Sequence, residues 1–171
     1  MTTNFSTWFV DKINRVAVSG DPRFFEHLFT RAKMGLNLAT YEQDFLTRQY
    51  ESCSILHTQY GMAKAWLSAM ASAADTTNIT IQYCMALPRH ILQSASFRRV
   101  THARASHDYG QSRSDDTEQW SAIGLTSMLY WSLGLIPFKD DFWSRTHEEG
   151  NIWGNNATEA DPELQGMIID L

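Results

Sequence analysis

Two short runs of this chain carry acids where acids could act on a substrate. In Leu36–Phe45, L-N-L-A-T-Y-E-Q-D-F, Glu42 and Asp44 stand two residues apart at the polar end of an apolar stretch. In Thr101–Tyr109, T-H-A-R-A-S-H-D-Y, the residues Arg104, Ser106 and Asp108 share one parity. Side chains of an extended chain alternate between faces, so each set is expected on one side of a sheet. Two carboxylates delivered by different strands suit glycoside hydrolysis: one attacks the anomeric carbon and the other protonates the leaving oxygen. Glu42 and Asp44 are the candidate acids on the first of these strands. Asp108, with Arg104 beside it as a charge partner, is the candidate acid/base. The simpler role for the same residues is structural, since acids at strand ends cap loops and Arg48 is near enough in sequence to pair with them.

Around these acids, other residues could hold a substrate. Gln82 and Cys84 share a face of the next apolar run, where Gln82 could hydrogen-bond a sugar hydroxyl and Cys84 reads as a small core residue. Tyr41, Tyr109, Trp120 and Trp143 could stack on a sugar ring, although aromatics at such spacings also build cores; Tyr109, in a polar loop, suits a rim. The six histidines show no close pairing of the zinc type, and the odd spacing of His102 and His107 sends them to opposite faces of a strand. No metal or cofactor is expected. There is no glycine-rich phosphate loop and no serine in a nucleophile elbow.

The elements that must position these residues alternate. The N-terminal stretch reads either as an amphipathic helix through Phe5, Trp8, Phe9, Ile13 and Val16 or as a strand within Trp8–Val18. Asp21-Pro22 is a helix start, with Phe25, Leu28, Phe29 and Ala32 on one face and Gly35 as a stop. Leu36–Phe45 is a strand; Gly61–Ala74 is a helix with Met62, Trp66, Leu67 and Met70 inward. Ile79–Met85 is a second strand, Pro88–Leu92 a short helix and Val100–Ser106 a third strand. Gly110–Gln119 is a polar loop, Trp120–Leu133 an apolar helix stopped by Gly134, and Leu135–Trp143 a last strand with its loop. Asp161-Pro162-Glu163 starts a closing helix to about Ile169. Within a single domain, residues 1–20 are the least defined segment and 144–171 form the loop and closing helix.

Bulk properties limit the partners. A chain of 171 residues that is 43% hydrophobic can bury one core. A net charge of −5 and no Lys/Arg-rich run argue against nucleic acid and against anionic membranes. Two cysteines, Cys53 and Cys84, make neither a disulfide framework nor a metal-ligand spacing. No stretch resembles a signal peptide or is long enough to span a bilayer, so a soluble cytoplasmic protein is the expectation. Sequons at Asn4, Asn78 and Asn156 are of the frequency that chance produces in a Ser/Thr-rich chain.

Strands alternating with helices through short connections predict right-handed β/α units and a parallel sheet. Three or four such units fall short of a complete eight-fold barrel, which needs roughly 200–250 residues. The expected fold is therefore part of a (β/α)8 barrel, with open edges to be covered or paired.

Four runs resemble one family in their order and spacing: I-Q-Y-C-M from Ile81, A-R-A-S-H-D-Y from Ala103, W-S-A-I-G from Trp120 and G-L-I-P-F-K-D-D-F from Gly134. With the helix F-F-E-H-L-F and the strand into Y-E-Q-D, they resemble the raffinose synthases and alkaline α-galactosidases, retaining glycosidases built on TIM barrels. The similarity spans roughly Asp21–Ser144. It implies strands four to seven of such a barrel, a carbohydrate partner, and either a missing barrel half or a homo-oligomer. It also implies Asp44 or Glu42 as nucleophile and Asp108 as acid/base, with Tyr41, Gln82, Arg104, His107, Tyr109 and Trp120 around the sugar. Two positions depart from the family. Its lysine near the nucleophile has no counterpart, since Thr40 and Glu42 stand there, and His107 replaces the first aspartate of an Asp-Asp pair. Two outcomes follow: a hydrolase domain inactive when isolated, or a catalytically dead carbohydrate-binding or structural remnant.

Overall fold

The structure, a computed structural model, describes residues 8–105 and 116–138. The chain opens with an antiparallel hairpin, β1 (Trp8–Asp11) and β2 (Val16–Ser19), in the register Trp8 opposite Ser19. The strand reading of this segment is therefore the right one. Phe9 and Val18 go inward because strand alternation, rather than a helical period, sorts this stretch. Asp11 closes the turn: its Oδ1 accepts from the amides of Ile13 and Asn14, and its Oδ2 from that of Ser54.

Helix α1 (Pro22–Leu36) starts as its sequence dictates. Asp21 accepts from the Arg23 amide at 3.0 Å and Pro22 occupies the first turn. It ends one residue beyond Gly35, with Asn37 in the left-handed conformation as its C-cap. Phe25 and Phe29 form its buried face, while Leu28 stays more than a third exposed. The strand expected from Leu36 consequently shrinks to β3 (Thr40–Gln43). Two helices not foreseen, α2 (Leu46–Ser52) and α3 (Ser54–Thr58), lead to α4 (Met62–Thr77). Helix α4 is rich in alanine, a strong helix former, and buries Trp66, Leu67 and Met70. Each such large side chain contributes roughly 1.5–3 kcal/mol on burial. Its C-terminus is closed by Asn78 and by the Lys33 ammonium, which donates to the carbonyls of Thr77 and Asn78 at 2.8 and 3.3 Å.

The remaining elements are β4 (Thr80–Tyr83), α5 (Pro88–Ser94), β5 (Val100–Arg104), α6 (Asp116–Ser132) and β6 (Ile136–Phe138). Strands β3 to β6 form one parallel sheet in the order β3-β4-β5-β6. Strands laid down in a single direction by right-handed crossovers keep their helices on one face. Burial agrees. Gln43, Ile81, Tyr83, Val100 and Ala103 are buried, whereas Thr40, Glu42, Thr80, Gln82, His102 and Ile136 are half-buried or exposed. The sheet has an apolar, helix-covered face and a second face that is largely polar. No helix among the described residues is long and apolar enough to cross a membrane.

Candidate functional site

The polar face gathers its chemistry at the ends of β3, β4 and β5, where parallel strands give way to loops. In register across three strands stand Glu42, Gln82 and His102, with Ile136 completing the row. Neighbouring strands lie about 4.8 Å apart, so Glu42 and His102 are separated by about 10 Å of backbone. Arg104 is two residues further along β5 and has the same parity as His102.

A bulge creates this alignment. Ile81 pairs with Val100, yet Gln82 pairs with His102, so Thr101 is an extra residue in β5. Were Thr101 paired in plain alternation instead, His102 and Arg104 would turn toward the helices. With the bulge, Val100 and Ala103 are buried and His102 and Arg104 share the face of Glu42. The Thr101 hydroxyl lies 2.8 Å from His102 Nδ1 and fixes the ring. The bulge left no trace in the strand's residue pattern, and His102 was not a sequence candidate.

Cys84 is the centre of the cluster. It lies near the carboxylates of Asp44 and Glu42 and in the field of Arg104. Burial, followed by the neighbouring Asp44 carboxylate, pushes the thiol well above its usual range, with Arg104 acting against them. It is thus buried, as its sequence suggested, but it lies beside the two acids rather than in the apolar core. A thiol held in this protonated form is a donor and a poor nucleophile.

The loops carrying these residues are specially shaped. Phe45, directly after Asp44, has φ 56°, and Met85, directly after Cys84, has φ 49°. Such left-handed backbone costs a side-chain-bearing residue roughly 1–2 kcal/mol. Strain of this kind collects at functional sites. Both loops are tied together, since the Thr47 amide and hydroxyl donate to the Met85 carbonyl at 2.9 and 2.6 Å. Asp44 Oδ1 accepts from the Phe45 amide at 2.6 Å. The Asp44 carbonyl accepts from Gln43 Nε2 at 3.0 Å, and that amide also reaches Gln49 Oε1.

Beneath this shell, His90 anchors the loop after β4. It is fully buried, and its Nδ1 accepts from the Leu87 amide at 3.1 Å. The Tyr50 and Trp66 rings stand edge-on to it at 5.5 and 6.4 Å. Burial, then the nearby Arg89 charge, lowers its pKa to about 4.

Of the sequence candidates, Glu42, Asp44, Gln82 and Arg104 are brought to this one face. Tyr41 is not: it lies on the helix side, its ring 4.9 Å from that of Phe29, because its parity is that of buried Gln43. A stacking role for Tyr41 is therefore replaced by a packing one. His107, Asp108 and Tyr109 lie outside the described residues, as do Trp143 and the side chain of Trp120. Among the described residues no three His, Cys, Asp or Glu side chains gather in a way that could hold a metal ion. Comparison with family models, with curated proteins and with solved structures gives no match.

Proposed function

We propose that this chain is a glycoside hydrolase-like domain, an arc of a (β/α)8 barrel that takes an α-linked sugar of the galactoside type on its polar sheet face. The observation carrying this reading is the convergence of Asp44, Glu42 and Arg104 on Cys84 at the C-terminal ends of adjacent parallel strands. The one-directional strand order and single helix layer support the barrel arc, because a barrel wall has that construction and a doubly wound sheet does not.

In this reading Asp44 attacks the anomeric carbon, Asp108 protonates the leaving oxygen, and a water then releases the sugar with retention. Cys84, protonated beside Asp44 and Glu42, offers its one S–H to the pair and helps hold an acid facing the sugar. Gln82 and His102 supply hydrogen bonds to hydroxyls, and Arg104 balances the negative charge of the paired acids. One copy of the chain builds only part of the wall around a sugar, so the isolated chain binds better than it turns over.

The second reading, a carbohydrate-binding remnant without turnover, is favoured by one contact: Asp44 spends an oxygen on the Phe45 amide at 2.6 Å. Incubation with a 2-deoxy-2-fluoro-α-galactosyl fluoride distinguishes them. The hydrolase reading predicts a covalent adduct on a peptide containing Asp44, abolished in Asp44→Asn. Sugar binding with no adduct supports the remnant. An adduct on Glu42 reassigns the nucleophile, and neither binding nor adduct refutes both.

A further inference from the structure

The sheet has an open edge at each end among the described residues, and the two edges match each other. Among the described residues, no strand covers the outer edge of β3 or that of β6. The carbonyls of Ala39 and Gln43 accept from β4, which turns the backbone groups of Thr40 and Glu42 outward. In β6 the Phe138 carbonyl accepts from Ala105, so the residue between, Pro137, offers its carbonyl outward and has no amide to offer. One edge therefore presents donors and acceptors, and the other an acceptor.

The helices beside these edges are exposed and apolar at the same level. Helix α1 ends with Met34 and Leu36, 83% and 80% exposed, and Phe29 packs it on β3. From Ile123 onward helix α6 has apolar residues on both its buried and its exposed sides: Ile123 and Tyr130 are buried, while Leu125, Met128 and Trp131 are each about 70% exposed. A helix segment apolar on its outer side as well as its inner one belongs inside an assembly. Both exposed groups sit near the C-terminal ends of helices that run directly into β3 and β6, so both lie toward the N-terminal end of the sheet.

We propose that two copies of this chain close into one ring of eight parallel strands, the β6 edge of each against the β3 edge of the other, with α6 packed beside the partner's α1. A two-fold axis along the ring preserves level, which is what brings the apolar end of α6 against that of α1. Closure also walls the polar face on its open side, so each sugar site is complete only in the pair. The inference shares the barrel geometry of the proposed function but is independent of its chemistry, and its test reads mass rather than sugar.

Light scattering and sedimentation of the full chain at about 10–100 µM give the answer, since a pair forms by mass action. The expected mass is about 39 kDa, twice the 19.6 kDa of the chain. Met34→Glu and Trp131→Glu, both at exposed positions and checked for unchanged circular dichroism, should each raise the dissociation constant at least tenfold. Mixing the two variants should restore pairing in part, because one of the two contacts is then intact. A monomeric wild type overturns the proposal, including the case in which residues 139–171 cover α6. A dimer broken by Trp131→Glu but indifferent to Met34→Glu overturns it too, since that is the signature of α6 pairing with its own copy.

Discussion

Acidification below about pH 6.5 should weaken this fold through His90. Its ring is fully buried, its Nδ1 is occupied by the Leu87 amide, and its Nε2 finds no hydrogen-bond partner among the described residues. A proton added in the folded state gains nothing there and sits beside Arg89. The folded pKa of about 4 lies below the unfolded 6.5. The unfolded chain therefore takes up the proton first as pH falls, and stability present above pH 6.5 is lost progressively toward pH 4. The full difference of about 2.5 units corresponds to about 3 kcal/mol, of which about 2 kcal/mol is already lost at pH 5. That is a large part of the 5–15 kcal/mol typical of a domain. Urea denaturation at a series of pH values, for the wild type and His90→Asn, measures it. Asparagine can still accept from the Leu87 amide but does not titrate. The variant should be less stable near pH 7 because it loses the contacts with Tyr50 and Trp66. The gap should narrow by about 2 kcal/mol on going to pH 5. A gap that stays constant with pH would refute the reasoning.

Other perturbations address other elements. Asp21→Ala, which removes the cap and ion pair at the start of α1, should cost about 1 kcal/mol in the same denaturation assay. Asp11, held at about 2 by hydrogen bonds from Asn14, Ser54 and Ile13, contributes stability that is present above pH 3.8 and fades below it; the Asp11→Ala chain should lose that acid dependence in thermal melts. Neither Cys84 nor Cys53 should react with a thiol reagent at mildly alkaline pH until the chain is unfolded, since burial raises both thiols. Deleting Thr101 should leave cooperative unfolding intact, because Val100 and Ala103 then stay inward by plain alternation and His102 still pairs with Gln82. Inserting one residue after Thr101 should instead slip His102 and Arg104 into the core and abolish it.

How much of this was legible in sequence depends on the range of the interactions involved. The start of α1 at Asp21-Pro22 was readable because capping is a contact between near neighbours. The burial of Trp66, Leu67 and Met70 followed from helical period, and Glu42 and Asp44 were placed on one face by strand parity. The hairpin was ambiguous because Trp8, Phe9, Ile13 and Val16 satisfy two periods at once; pairing with β2 and packing on α3 and α4 decided it. Helices α2 and α3 were missed since neither has enough turns to display a period. Tyr41 was left open between stacking and core because parity gives the face only once the strand's phase is known. His102 escaped because the bulge at Thr101 is a property of two strands pairing, and no single strand's sequence encodes it. Cys84 looked like core because a buried thiol reads as core from sequence whichever groups it lies beside.

The central claim is that the helix-free face of the sheet, around Asp44, Glu42, Cys84 and Arg104, receives a sugar. A titration of the isotope-labelled chain with melibiose, followed by amide and Arg side-chain resonances, tests it most directly. The account predicts saturable shifts centred on Glu42, Asp44, Gln82, His102 and Arg104, weakened in Asp44→Ala. Shifts confined to the helix layer or the β1–β2 hairpin, or no shifts at millimolar sugar, would contradict it.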